Sequence, residues 1–191
     1  MPASAALPGL VFCLSAAVLL TFVSVSAPTW DKIYFLDAGS GSSVIHFGVF
    51  GRSGSHISIG YRFNSSALNF NDDSLNTPVF ANLTKALILH PIGHGRYVGL
   101  CVLFGLCGAS YHRAGTVGMV LLAALTSVLC LLAFLFDMVL FGIVRNKFRD
   151  QGIPSQYGNA CWLTLAGLIA LLLGLSTAVC GSSGRSALSA T

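Results

Sequence analysis

The residue with the most chemical potential in this 191-residue chain is Asp137. It is the one acid inside a long apolar run, Phe134-Leu135-Phe136-Asp137-Met138-Val139-Leu140-Phe141. A carboxylate at the centre of a lipid-embedded helix costs at least about 2.5 kcal/mol on the insertion scale, so it should face protein and find a partner. Arg96, near the start of the second apolar segment, is the expected partner, because in the orientation chosen below both residues sit toward the outer leaflet. Asp137 is either a proton-sensitive or partner-binding group, or a structural clamp between helices. The clamp is the expectation, since one acid without a relay of further polar groups makes no transport pathway.

His90 and His94 stand four apart in His90-Pro91-Ile92-Gly93-His94 and share a helix face if Pro91 leaves the turn intact. Histidine titrates near neutrality, which would suit a pH sensor. The plainer expectation is a pair of interfacial residues capping an apolar segment. Two histidines without a third ligand do not make a metal site, and no cysteine pair has zinc spacing. His46 and His56 are read as exposed. No Ser/His/Asp or Cys/His array, phosphate loop or carboxylate pair is recognisable, so neither an enzyme nor a cofactor is expected. Cys13, Cys107 and Cys180 fall near the cytoplasmic leaflet in the orientation chosen below and are candidates for S-palmitoylation. The alternative for each is a small apolar residue within a helix. No cysteine lies between Pro28 and Lys85, so that stretch cannot carry an internal disulfide.

The elements that must position these residues follow from composition. The chain is 54% hydrophobic and 8% charged, against about a quarter charged in soluble domains, so lipid must be its solvent. Its net charge of +4 includes no long basic run, and nucleic acid is not an expected partner. Four apolar stretches, at 7–27, 86–110, 115–144 and 159–180, are long enough to span as helices. The first is read as a retained span, with a cleaved signal peptide as the alternative, because Val25-Ser26-Ala27 resembles a cleavage site. Sequons at Asn64 and Asn82 place the 28–85 loop outside and both termini in the cytoplasm. Arg145, Lys147 and Arg149 then lie on an outward extension of the third span, against the positive-inside rule.

Within the loop, the alternation of Ile57, Ile59, Tyr61 and Phe63 predicts a strand. Val44 to Phe50 and Ile33 to Leu36 are two more candidates, giving a small antiparallel sheet on a four-helix transmembrane bundle. Thr77-Pro78 predicts a helix start that runs into the second span. Ala166, Ala170, Gly174 and Ala178 recur every four residues as a groove for a neighbouring helix or a second protein. One domain is expected over 1–181, followed by a short disordered tail, 182–191.

Several segments together resemble the fungal PalI-type membrane proteins, a family of pH-response regulators and, more distantly, of eisosome-compartment proteins. They are Trp30-Asp31-Lys32-Ile33-Tyr34-Phe35-Leu36, the run Val44 to Phe50, Ile59-Gly60-Tyr61, Ile88-Leu89-His90-Pro91-Ile92, and Ala133 to Phe141. The resemblance implies a claudin-like architecture, four helices with a small extracellular sheet. It also implies a non-enzymatic accessory protein of the fungal plasma membrane, assisting a seven-span sensor when ambient pH turns alkaline. The sheet lacks the cysteine pair that claudin-like loops commonly carry, and the tail is short where pH-response members often have long ones. A structural protein of a membrane microdomain or cell contact is the alternative. A small transporter subunit, motivated by Asp137, is a third. The expected partners are the bilayer and another integral membrane protein or a second copy.

Overall fold

The computed structural model describes residues 7–63, 75, 77–91, 97–109 and 113–188. Its elements run α1 (Leu7–Ser24), β1 (Leu36–Ala38), β2 (Ile45–Phe47), α2 (Pro78–Ala86), α3 (Tyr97–Ala109), α4 (Arg113–Asp150), β3 (Ser155–Tyr157) and α5 (Asn159–Leu188). Among the described residues, three helical stretches are long and apolar enough to cross a membrane: Leu7–Ser24, Val117–Asp150 and Asn159–Val179. Helix α4 has 38 residues and so extends about 57 Å, well beyond the ~30 Å of a hydrocarbon core.

The segment expected to form the second span is described in two parts. Helix α2 begins at Pro78 after Thr77, as predicted, and ends at Ala86, and a turn leads into a short helical stretch at Leu89–Pro91. Helix α3 takes up the apolar run again over 13 residues, Tyr97–Ala109, and residues 92–96 between the two parts lie outside the described residues. At the other end, α5 continues to Leu188, so residues 182–188 are helical rather than the disordered tail expected. Ala and Ser extend an existing helix without paying for a new nucleus.

The chain divides into two compact units. Unit 1 takes Met1–Thr21, Pro91–Leu131 and Leu165–Thr191. Its buried side chains are small or flexible: Cys13, Ala16, Leu20, Val98, Cys101, Met119, Ala123, Cys130, Leu168, Leu171 and Ala178. Small residues allow backbones to approach. A Cβ placed on Gly174 would lie 3.2 Å from the Cys13 sulfur and 3.3 Å from the Gly9 carbonyl. The seam of α5 is therefore Gly167, Leu171, Gly174 and Ala178, whereas Ala166 is exposed and Ala170 half-buried. A strict four-residue repeat advances about 40° per step around a helix of 3.6 residues per turn, so it cannot stay on one face.

Unit 2 takes Phe22–His90 and Leu132–Thr164 and carries the sheet, in the order β2-β1-β3, both pairings antiparallel. Leu36 pairs with Phe47 on one side and with Tyr157 on the other. Two expected strands are displaced or shortened, to Leu36–Ala38 and Ile45–Phe47. The third does not form: Ile57 and Ile59 are exposed and Gly60 sits at φ 76°, a left-handed turn that ends extended pairing. Its place is taken by Ser155-Gln156-Tyr157, from the far side of α4. Asn159 fastens this arrangement. Its Oδ1 accepts from the Tyr34 N–H at 3.1 Å, and its Nδ2 donates to the Lys32 carbonyl at 2.8 Å. Beneath lie fully buried Phe35, Phe47, Phe63, Phe141 and Phe148. Phe35 stacks on Phe141 at 5.1 Å between centroids, and Phe47 meets Phe63 at 5.5 Å and Phe148 at 5.8 Å.

Candidate functional site

Asp137 belongs to the inward stripe of α4 within unit 2: Ala133, Asp137, Leu140, Phe141, Val144 and Phe148 are all buried. Steps of three and four keep these residues on one helix face, so the carboxylate is directed into the aromatic core rather than into lipid. Its partner is His90, with Nε2 at 2.8 Å from Oδ2 and both side chains 1% exposed. Arg96, the anticipated partner, and His94 lie outside the described residues. One expectation is corrected: His90 is a core residue rather than an interfacial cap.

The local chain explains how His90 arrives there. Helix α2 is tied down by buried Thr84, whose hydroxyl is 3.2 Å from the Tyr61 carbonyl and 3.0 Å from that of Ala81. A turn follows, with the His90 N–H donating to the Leu87 carbonyl at 3.0 Å. The imidazole then lies against Phe35 at 5.3 Å, and Phe35 stacks on Phe141, one turn beyond Asp137. A partner at hydrogen-bond distance is what a polar group in such apolar surroundings requires.

Tyr61 closes the loop side of this core. Its hydroxyl donates to the Gly48 carbonyl at 2.8 Å, and its ring packs edge-on against Phe63 at 5.3 Å. Burial, and secondarily the charge of Asp137, push its phenol well above the usual tyrosine range. His46, expected to be exposed, is half-buried and stacks on Tyr34 at 4.1 Å, whereas His56 is exposed as expected. Among the described residues, no three His, Cys, Asp or Glu side chains gather closely enough to hold a metal ion. The pair is chemically a clamp: it joins α4 to the segment after α2 through one buried, charge-capable hydrogen bond.

The family model described as SUR7/PalI matches residues 5–174. The chain belongs to the SUR7/PalI family. The match runs from the N-terminal helix to Gly174 in α5 and thus covers residues of both units. No curated protein matches the chain. The segments that carry the SUR7/PalI resemblance come together in unit 2. Lys32 and Tyr34 hold Asn159, Phe35 packs on His90, the run Val44 to Phe50 contains β2, and the segments around positions 90 and 137 supply the pair itself.

The remaining predicted residues are dispersed. Asn82 is exposed on α2, 3.4 Å from the Lys85 amine, while Asn64 is outside the described residues. Cys13 is fully buried in unit 1 with its sulfur 3.5 Å from that of Cys101, so it is packed and not available to an acyl-transfer enzyme. Cys107 is exposed, and the Cys180 side chain lies outside the described set. Sequence reasoning missed His90 as the partner of Asp137. The signal was present, since His90 follows the apolar run Leu87-Ile88-Leu89, where a histidine needs a hydrogen bond.

Proposed function

We propose that the chain is a non-enzymatic plasma-membrane accessory protein that assists a multi-span sensor of ambient pH. It crosses the bilayer four times with both termini in the cytoplasm and its small sheet outside, a claudin-like arrangement. Membership of the SUR7/PalI family carries this reading, and the form of unit 2 supports it. An aromatic core, a three-stranded sheet and the Asn159 fastening make a rigid head that can present a surface to another membrane protein. Exposed Ile57 and Ile59 are apolar residues on that head where a partner, or a second copy, would find purchase.

Deleting the gene and growing cells at alkaline pH tests the reading. Failure to activate the pathway's transcription factor is expected, and normal activation overturns it. Orientation is checked by glycosidase. A mobility shift that disappears in the double variant Asn64→Gln, Asn82→Gln puts the 28–85 loop outside, and no shift overturns that orientation.

A second reading, a structural protein of a plasma-membrane microdomain, draws on the many exposed apolar side chains of α4, among them Leu121, Val128 and Leu135. Static cortical patches that persist without the sensor would favour it.

A further inference from the structure

Within unit 2, a groove of about 110 Å³ runs between α4 and α5, lined by Phe134, Met138, Tyr157, Cys161 and Trp162. Its α4 side is Phe134 and Met138, and the same helix stripe continues beyond the groove through Gly142 to Arg145, spaced by four, four and three residues. The far wall is Trp162, 66% exposed at the start of a membrane-competent stretch. Tyr157 bridges to the top. It lines the groove, and its ring carries the Arg145 guanidinium at 5.1 Å. Stacking occupies the face of a guanidinium and leaves its in-plane N–H groups for an acceptor. The Arg145 Nε is shielded and has no hydrogen-bond partner among the described residues.

We propose that this groove binds one phospholipid, with its phosphate on Arg145 and one acyl chain along Met138, Phe134 and Trp162. The proposal rests on the membrane-spanning reading of α4 and α5. From Arg145 down to Phe134 the helix descends 11 residues, about 16 Å at 1.5 Å each, close to the ~15 Å depth of one hydrocarbon leaflet. Lys147 and Arg149 in the last turn of α4 add positive charge at the headgroup level, with Asp150 the single acid beside them. A phosphate ligand also explains why basic residues are tolerated on a segment read as facing outward.

The test uses the full chain purified in an uncharged detergent. Dioleoyl phosphatidylglycerol, or dioleoylglycerol of the same chains without a phosphate, is titrated in and retention is read by native mass spectrometry. One phosphatidylglycerol per chain is expected, bound at least about tenfold more tightly than the diacylglycerol. Arg145→Gln should erase that preference, and Trp162→Ala, which alters only an exposed side chain, should weaken both lipids. Equal retention of the two lipids, a preference that survives Arg145→Gln, or displacement by inorganic phosphate at millimolar concentration would each overturn the proposal. Recovery of the expressed protein in the membrane fraction tests the spanning reading separately.

Discussion

Around Met119 in unit 1, the packed neighbours are Cys13, Cys101, Ala123 and Ala178. Around Phe35 in unit 2 they are Phe47, Phe63, Phe141 and Phe148, a sheet, and a His–Asp pair. The two sets hold their elements together in different ways. Small residues permit close backbone approach between apolar helices, the means by which helices associate in lipid. Large aromatic side chains instead pack with defined ring geometry, which makes a rigid core. A buried ionisable pair fits the second setting because the surrounding structure holds both partners in place.

The sharpest way to break this contrast is to remove one member of the pair. Asp137→Leu leaves His90 buried without its carboxylate and is expected to cost about 3–5 kcal/mol, seen as loss of monodisperse protein in detergent. Combining it with His90→Leu should recover most of that loss, because the pair, not either charge, is what the core accommodates. In unit 1 the corresponding probe is bulk. Gly174→Leu should cost about 1–3 kcal/mol in thermal unfolding, since the helices must separate. Ala166→Leu, eight residues earlier on the exposed face, should stay within about 0.5 kcal/mol. If both substitutions behaved alike, the close-approach account of unit 1 would fail.

A smaller effect belongs to Tyr61. Because its phenol is raised in the folded state, the neutral form is favoured there. The stability it contributes is intact below the ordinary tyrosine value of about 10 and falls as pH rises above it. Tyr61→Phe should cost about 1 kcal/mol at neutral pH through the lost bond to Gly48, and should flatten the alkaline decline. Smallest of all, Ile57→Ser should change stability by less than about 0.5 kcal/mol, since that side chain is already exposed. Its effect, if the head is a recognition surface, should appear in co-purification with the sensor.

Helix α4 was legible because its apolar run is long and its inward residues keep a helical spacing through Asp137. The start of α2 was legible from Thr77-Pro78. The partner of Asp137 was not, because His90 is reached through a turn whose geometry depends on Thr84 and Tyr61, residues without a local signature. Alternation misled at Ile57 to Phe63: period two is a weak signal when a glycine at positive φ interrupts it. The strand that replaced it, Ser155-Gln156-Tyr157, is too short and polar to show any pattern. Its pairing is set by where α4 ends and α5 begins. In α5, spacing by four keeps Gly174 and Ala178 on the packed face but drifts off it toward Ala166, and the packing of Gly167, Leu171, Gly174 and Ala178 shows the face itself.

The fastening of the sheet by Asn159 also dictates an order of assembly. Asp37 and the Gln156 N–H it receives are 119 residues apart in the chain. At about 5–20 residues per second of synthesis, roughly 6–24 s separate the emergence of β1 from that of its partner β3. Throughout that interval the loop waits with one sheet edge open and its aromatic residues uncovered, a form that chaperones recognise. The earliest part of the head to be made is therefore the last to be completed, and a truncated or misinserted α4 would leave a visible mark for quality control.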